Sequence, residues 1–270
     1  MSGDMSQPER PDFSHVRPAG SGLDPYSIDA PRSETPPDLP GVVSVSPDLD
    51  TLLDVVTADL LVDAAECVAR AGTFHLAVSG GTMVQPIYER LMYDPLCRSF
   101  PWEKTHLWLV WEAAVAYDAA GSVFHQIHET FVLHSGINLE HVHPMDALAS
   151  EGAAEYEATL IDMLGERPPE EARLDAVVLA LGEGGAVAGY QCGDEQSTSN
   201  KALVAFHPAT QRLTLTPACI GAAGKVLVVA TGSEIQPSIA SLAGGGGGPI
   251  AMMSPPRGKM KWYLDAAATP

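Results

Sequence analysis

Two glycine-rich turns are the places where this chain could handle an anion. Ser79-Gly80-Gly81-Thr82 follows the apolar run FHLAV (74–78) and precedes a helical pattern over roughly 84–92. Gly182-Glu183-Gly184-Gly185 follows the run LDAVVLAL. Small residues let backbone N–H groups approach a negative ligand, and a helix N-terminus adds partial positive charge. Neither turn is followed by GK[ST], and neither fits GxGxxG, because Val187 occupies the sixth place of the second. On residue types alone, each is equally an anion cradle or a plain change of chain direction. Ala77-Val78-Ser79-Gly80-Gly81 lies one residue off the GxSxG nucleophile elbow, but no HGGG-like oxyanion segment accompanies it, which disfavours a serine hydrolase. Nine histidines raise the question of a metal. His125 and His128 are three apart on a helical pattern, and His141 and His143 alternate on an extended one. HExxH is absent and no Cys/His set has zinc spacing, so these rings are expected on the surface or half-buried, with no metal.

These turns need a scaffold, and the hydrophobic period supplies one. Asp50-Thr51 reads as a helix cap before LLDVVTADLLVDAAECVARAG, whose apolar residues recur at helical spacing up to Gly72. HLWLVW (106–111), LDAVVLALG (174–182), RLTLT (212–216) and KVLVVATG (225–232) read as strands. SVFHQIHETFVLHSG (122–136) and the Ala- and Glu-rich stretch 149–165 read as helices. HVHPM (141–145) is a brief extended piece, Gly244 to Gly248 a flexible loop, and MKWYLDAAA (260–268) the closing element. Apolar runs that end in glycine and alternate with helices indicate an α/β fold with a parallel sheet. In such sheets ligands sit beyond the carboxyl ends of the strands, where both turns fall. Residues 1–40 hold eight prolines and few large apolar groups, so they are expected to form a disordered tail, with one folded domain over 41–270.

Fifteen Lys and Arg against 34 Asp and Glu give a formal charge of −19. That field repels phosphate backbones and anionic lipid, which argues against nucleic-acid and membrane-surface partners. Four widely spaced cysteines without a CxxC suit a reducing cytoplasm.

Eight segments in one order resemble 6-phosphogluconolactonases. Ser79 to Thr82 with Ile87-Tyr88-Glu89-Arg90-Leu91 resembles SGGSTP…LYERL. Phe100-Pro101-Trp102-Glu103-Lys104 with HLWLVW is similar to the stretch before the family's DER motif, and Ser122-Val123-Phe124 with Glu129 to its SNY…E helix. INLEHVH (137–143) resembles IPPENVH, LDAVVLALGEGG resembles fDlvLLGmGeDG, and Arg212 to Thr216 resembles RiTLT. Val228 to Gly232 and Pro256 to Ala268 are similar to the family's last two strands. The resemblance covers about 42–268 and implies the α/β sandwich of the 6-phosphogluconolactonase/glucosamine-6-phosphate isomerase type. It also implies a small phosphorylated sugar or similar anion as ligand, held by Ser79, Gly80, Gly81, Thr82, Gly185 and Arg212. No cofactor is implied, since opening a lactone needs only water.

The departures fall on the reacting groups. The family pattern G-x-D-G-H-T-A-S carries the histidine that takes a proton from the attacking water. Here Ala186 stands at that His and Gly184 at the Asp. DER reads Glu112-Ala113-Ala114, STP reads Thr82-Met83-Val84, the Asn of SN is Val123, and the Lys that follows the family's TG is Ile235. A general base contributes ~10²–10⁴-fold to such reactions, and alanine moves no proton. Glu183 is the nearest substitute base, two residues before Gly185, though a solvated side chain is expected there. The reading is therefore a lactonase-like protein that has lost catalysis and is kept as a sugar-phosphate-binding, regulatory or scaffold protein in the cytoplasm. The alternative is a divergent, active 6-phosphogluconolactonase of the pentose phosphate pathway. The sequence names no protein partner.

Overall fold

The computed structural model describes residues 35–165, 174–192, 202–255 and 259–270. The expected tail falls mostly on residues 1–34, outside the described part. Its last residues do not behave as a tail: Leu39 is buried and the Pro40 carbonyl accepts the indole N–H of Trp262 at 2.9 Å. Packing thus begins upstream of Gly41.

Seven parallel strands form the main sheet in the order β1-β10-β9-β6-β2-β3-β5. They are β1 (Val42–Ser46), β2 (Phe74–Val78), β3 (Thr105–Leu109), β5 (Val142–His143), β6 (Ala176–Ala180), β9 (Lys225–Ala230) and β10 (Lys259–Asp265). The central strands β2 and β3 are buried at every residue, as an apolar run covered on both faces requires. Registers align the carboxyl ends: Val78 pairs with both Leu109 and Val178, and Ala180 pairs with Val229. The turns after β2, β6 and β9 therefore emerge side by side.

Two expectations are corrected here. HLWLVW is two strands, because the chain leaves the parallel sheet at buried Val110 and continues as β4 (Trp111–Ala113). RLTLT is not in the parallel sheet either. It forms β8 (Arg212–Leu215), antiparallel to β4 and to β7 (Val204–His207), in a three-stranded sheet of order β4-β8-β7. The Val110 carbonyl accepts from Leu215 N at 2.8 Å and so ties the two sheets together.

Helix α1 (Leu49–Ala71) is capped by Asp48, which accepts from Thr51 N at 2.8 Å, and not by the expected Asp50-Thr51. Asp50 sits inside the first turn, where its charge suits the helix dipole and pairs with Arg90. Gly72 ends the helix at φ 85°, with its N–H on the Val68 carbonyl. Helix α2 (Gln85–Tyr93) follows β2. Helix α3 (Val123–Ile127) runs on through a π-helical stretch, His128–Val132, into α4 (Leu133–Ser135). The remaining helices are α5 (Gly152–Leu164), α6 (Pro217–Gly221) and α7 (Gln236–Ala243). No helix among the described residues is long and apolar enough to cross a membrane.

Candidate functional site

The first glycine turn is occupied by the chain itself. Gly81, at φ 109°, gives its N–H to Gln126 Oε1 at 2.9 Å. Gln126 Nε2 donates in turn to Gln85 Oε1 at 3.0 Å, and Gln85 Nε2 to Glu89 Oε1 at 2.8 Å. Val123 closes the other side: a Cβ at Gly80 would come within 2.6 Å of Val123 Cγ1. Ser79 is buried, its carbonyl accepts the Tyr88 hydroxyl at 2.8 Å, and its own hydroxyl oxygen has no partner among the described residues. Thr82 is exposed at the start of the turn into α2.

Gln126 and Val123 both ride on α3, and Glu112 fixes where α3 begins. This carboxylate is 4% exposed and accepts from Val123 N at 2.8 Å, Phe124 N at 2.6 Å, Ala113 N at 2.9 Å and the Ser122 hydroxyl at 3.4 Å. Burial pushes its pKa above the ordinary carboxylate value, against the pull of those four donors. Glu112 works as an anchor for a helix N-terminus. Its neighbour Ala114 gives its N–H to the Gln211 carbonyl at 2.9 Å and packs against the core.

The second turn is a tight 3-10 piece, Glu183–Gly185. Gly184 sits at φ 64° and Gly185 at φ 79°, in the left-handed region that glycine enters most easily. The Gly185 N–H goes to Ser238 Oγ on α7 at 3.1 Å, and the Gly182 N–H to the Ala186 carbonyl at 2.7 Å. Ala186 is half-buried and offers only a methyl group. Glu183 is exposed; its carbonyl accepts the Ala186 N–H at 3.3 Å, while its carboxylate has no hydrogen-bond partner among the described residues. Beyond β9, Ile235 is 1% exposed, so an ammonium at that position would be taken out of water.

The structure brings the turns after β2 and β6 to one edge of the sheet, as the sequence implied, and the turn after β9 lies beside them. Arg212 stands on β8 of the small sheet, against the stretch that follows Ala186. Its guanidinium lies 4.6 Å from the centroid of the Trp111 ring and donates to the Gly189 carbonyl at 3.4 Å. Sequence reasoning missed Gln126, whose contact with Gly81 spans 45 residues and has no local signal.

Six of the histidines fall into two groups. His128 Nδ1 lies 3.0 Å from the Tyr117 hydroxyl and 3.1 Å from Glu129 Oε1, and His125 Nδ1 is buried without a partner among the described residues. His75, His106 and His143 are more buried than the sequence suggested, because they stack with Trp108 across β2, β3 and β5. His141 stacks on His106 with ring centroids 4.0 Å apart. Among the described residues no group of three or more His, Cys, Asp or Glu side chains could hold a metal ion.

Residues 47–262 match the family described as glucosamine-6-phosphate isomerases/6-phosphogluconolactonase. A 6-phosphogluconolactonase of Nostoc sp. is 28% identical over 235 residues, covering 84% of this chain and 96% of the relative. The GDH/6PGL endoplasmic bifunctional protein of Oryctolagus cuniculus is also 28% identical, over 81% of this chain, which spans 29% of that longer protein. Among solved structures, the 6-phosphogluconolactonase of Thermotoga maritima superposes with a TM-score of 0.72 at 22% identity, over 83% of this chain and 99% of the other. That of Trypanosoma cruzi gives 0.73 at 20% identity, over 86% and 97%. Strand order, the aligned turns and these matches agree: the chain belongs to the glucosamine-6-phosphate isomerase/6-phosphogluconolactonase family.

Proposed function

We propose that this protein is a 6-phosphogluconolactonase-like protein without lactonase turnover, kept in the cytoplasm for binding, regulation or scaffolding. The observation that carries the reading is the pairing of Ala186 at the family's general-base position with Gln126 on the Gly81 N–H. The first removes the group that would activate water; the second takes a donor that a phosphate would need. Groups that act as a unit lose activity together, so no single surviving residue sustains the reaction. A small phosphorylated sugar remains the ligand class to try, bound weakly at Ser79, Gly80, Gly81, Thr82 and Gly185. The test is hydrolysis of 6-phosphogluconolactone by the purified chain, measured against the spontaneous rate. Hydrolysis at background supports the reading; kcat/KM near ~10⁴ M⁻¹s⁻¹, the low end of ordinary enzymes, overturns it.

The match to a curated lactonase over 96% of its length favours a second reading, a divergent active 6-phosphogluconolactonase. In that case Glu183 is the first candidate base, and Glu183→Gln abolishes the rate while leaving the fold intact.

A further inference from the structure

A cavity of ≈ 320 Å³ opens beside the second glycine turn; Gly184 and Gly185 of that turn line it, and none of Ser79 to Thr82, Ala186 or Arg212 does. Its wall joins Glu183, Glu234 from the turn after β9, Pro237, Ser238 and Leu242 from α7, and Ile250 from the 3-10 turn Pro249–Met253. Three features define what it can hold. First, its titratable lining among the described residues includes two carboxylates and no Lys, Arg or His. Neither Glu183 nor Glu234 has an ion-pair partner among the described residues, so both charges are uncompensated. Second, Ser238 is 8% exposed and accepts the Gly185 N–H at 3.1 Å, which leaves its own proton without an acceptor among the described residues. A buried hydroxyl that lines a cavity with an unspent donor calls for an acceptor oxygen on whatever fills it. Third, Pro237, Leu242 and Ile250 supply an apolar surface between the polar groups.

We infer that this cavity is a binding site for a small organic cation: a protonated amine on a compact apolar body that also carries an acceptor oxygen. The ammonium meets the Glu183 and Glu234 carboxylates, the body packs on Pro237, Leu242 and Ile250, and the oxygen accepts from Ser238. This ligand class is opposite in charge to a sugar phosphate, and the inference stands whether or not the chain hydrolyses a lactone.

Tyramine and 4-hydroxyphenylacetate share a ring and a hydroxyl and differ in the sign of their charge, so together they test it. Each is titrated into the full chain at pH 7 and followed by NMR at the amides of Gly184, Gly185, Gly247 and Gly248. Tyramine is expected to shift these amides saturably, with 4-hydroxyphenylacetate at least tenfold weaker. Added KCl is expected to weaken tyramine binding, since the carboxylates are open to solvent. The double variant Glu183→Gln/Glu234→Gln, conservative and on exposed positions, is expected to lose at least tenfold in tyramine affinity while keeping the remaining amide spectrum. The inference is overturned if tyramine moves none of these amides, if 4-hydroxyphenylacetate binds as well or better, or if the correctly folded double variant binds tyramine as the parent does. The two-ligand comparison on the unmodified chain decides the matter even if the double variant does not fold.

Discussion

Gly81 has one backbone N–H to offer an anion, and Gln126 Oε1 holds it at 2.9 Å. A phosphate oxygen entering the turn must displace that amide, and must do so beside Val123, which already crowds Gly80. A hydrogen bond to a charged acceptor contributes roughly 1.5–3 kcal/mol, less when water competes for the same donor. Gln126→Ala returns the donor without adding charge. Inorganic phosphate is therefore expected to bind this variant about tenfold more tightly than the parent, read from the amide shifts of Gly80, Gly81 and Thr82. Equal affinity in the two proteins would mean that Gln126 blocks nothing. On the proposed function, Ala186→His alone is expected to give no lactonase turnover, because Gly184, Ala114 and Ile235 then stand where the base's partners would be and Ile235 lies in the core.

At the scale of elements, the decisive one is α3, because it carries both groups that close the first turn. Its start is set by Glu112, whose carboxylate collects the N–H groups of Val123 and Phe124. Removing a buried acceptor strands those donors, at about 1–3 kcal/mol for each group left unsatisfied. Glu112→Ala is expected to cost about 2–4 kcal/mol of global stability and to speed amide exchange in Val123–Ile127 before the rest of the chain. Glu112→Gln keeps one acceptor oxygen and should lose less. Unchanged exchange at these amides in Glu112→Ala would remove the anchoring role. Much of this element layer was legible beforehand. FHLAV, LDAVVLALG and KVLVVATG announce buried parallel strands because unbroken apolar runs end at glycine. The small antiparallel sheet was not legible. HLWLVW has no break in polarity at Val110, and Val204–His207 gains its partner only through β8. The glycine turns could be read because glycine marks special backbone wherever it stands. The roles of Gln126 and Glu112 could not, since they depend on contacts 45 and 11 residues away.

The whole molecule should respond to acid through its histidine stack. His106 Nδ1 and His143 Nε2 are 3.2 Å apart, so one ring donates, the other accepts, and the two cannot both be charged. Trp108 Nε1–H donates to His75 Nδ1 at 3.3 Å, which holds that nitrogen unprotonated. Burial lowers the pKa of both His106 and His143 to about 4, helped by the neighbouring rings. Unfolded histidines take up a proton near pH ~6.5. Between those values the unfolded chain binds more protons, so stability falls as pH drops through this window, by up to ~1.4 kcal/mol per pH unit for each ring. Urea midpoints from pH 7.5 to 5 should decline accordingly, and the decline should flatten in His106→Gln/His143→Gln. A variant as acid-sensitive as its parent would place the effect elsewhere.

Stability of the molecule as a whole also depends on where the chain enters it. Leu39 is 6% exposed, and the Pro40 carbonyl is the acceptor for the indole N–H of Trp262, a residue with no exposure at all. Gly41 follows at φ 99°, where a Cβ would lie 2.3 Å from the Met260 carbonyl oxygen, so the chain passes close against β10 before starting β1. These three residues fasten the edge strand to its neighbour. Burying a leucine contributes about 1.5–3 kcal/mol. Leaving the tryptophan N–H without its acceptor costs about 1–3 kcal/mol more. For a domain of this size each kcal/mol moves the melting temperature by roughly 2–4 °C. A chain beginning at residue 41 is therefore expected to melt about 5–24 °C below one beginning at residue 35. The difference is measured between the two truncations, so any contribution of residues 1–34 cancels. Melting points within about 2 °C of each other would show that Leu39 and Pro40 add nothing, and the domain would then begin at Gly41.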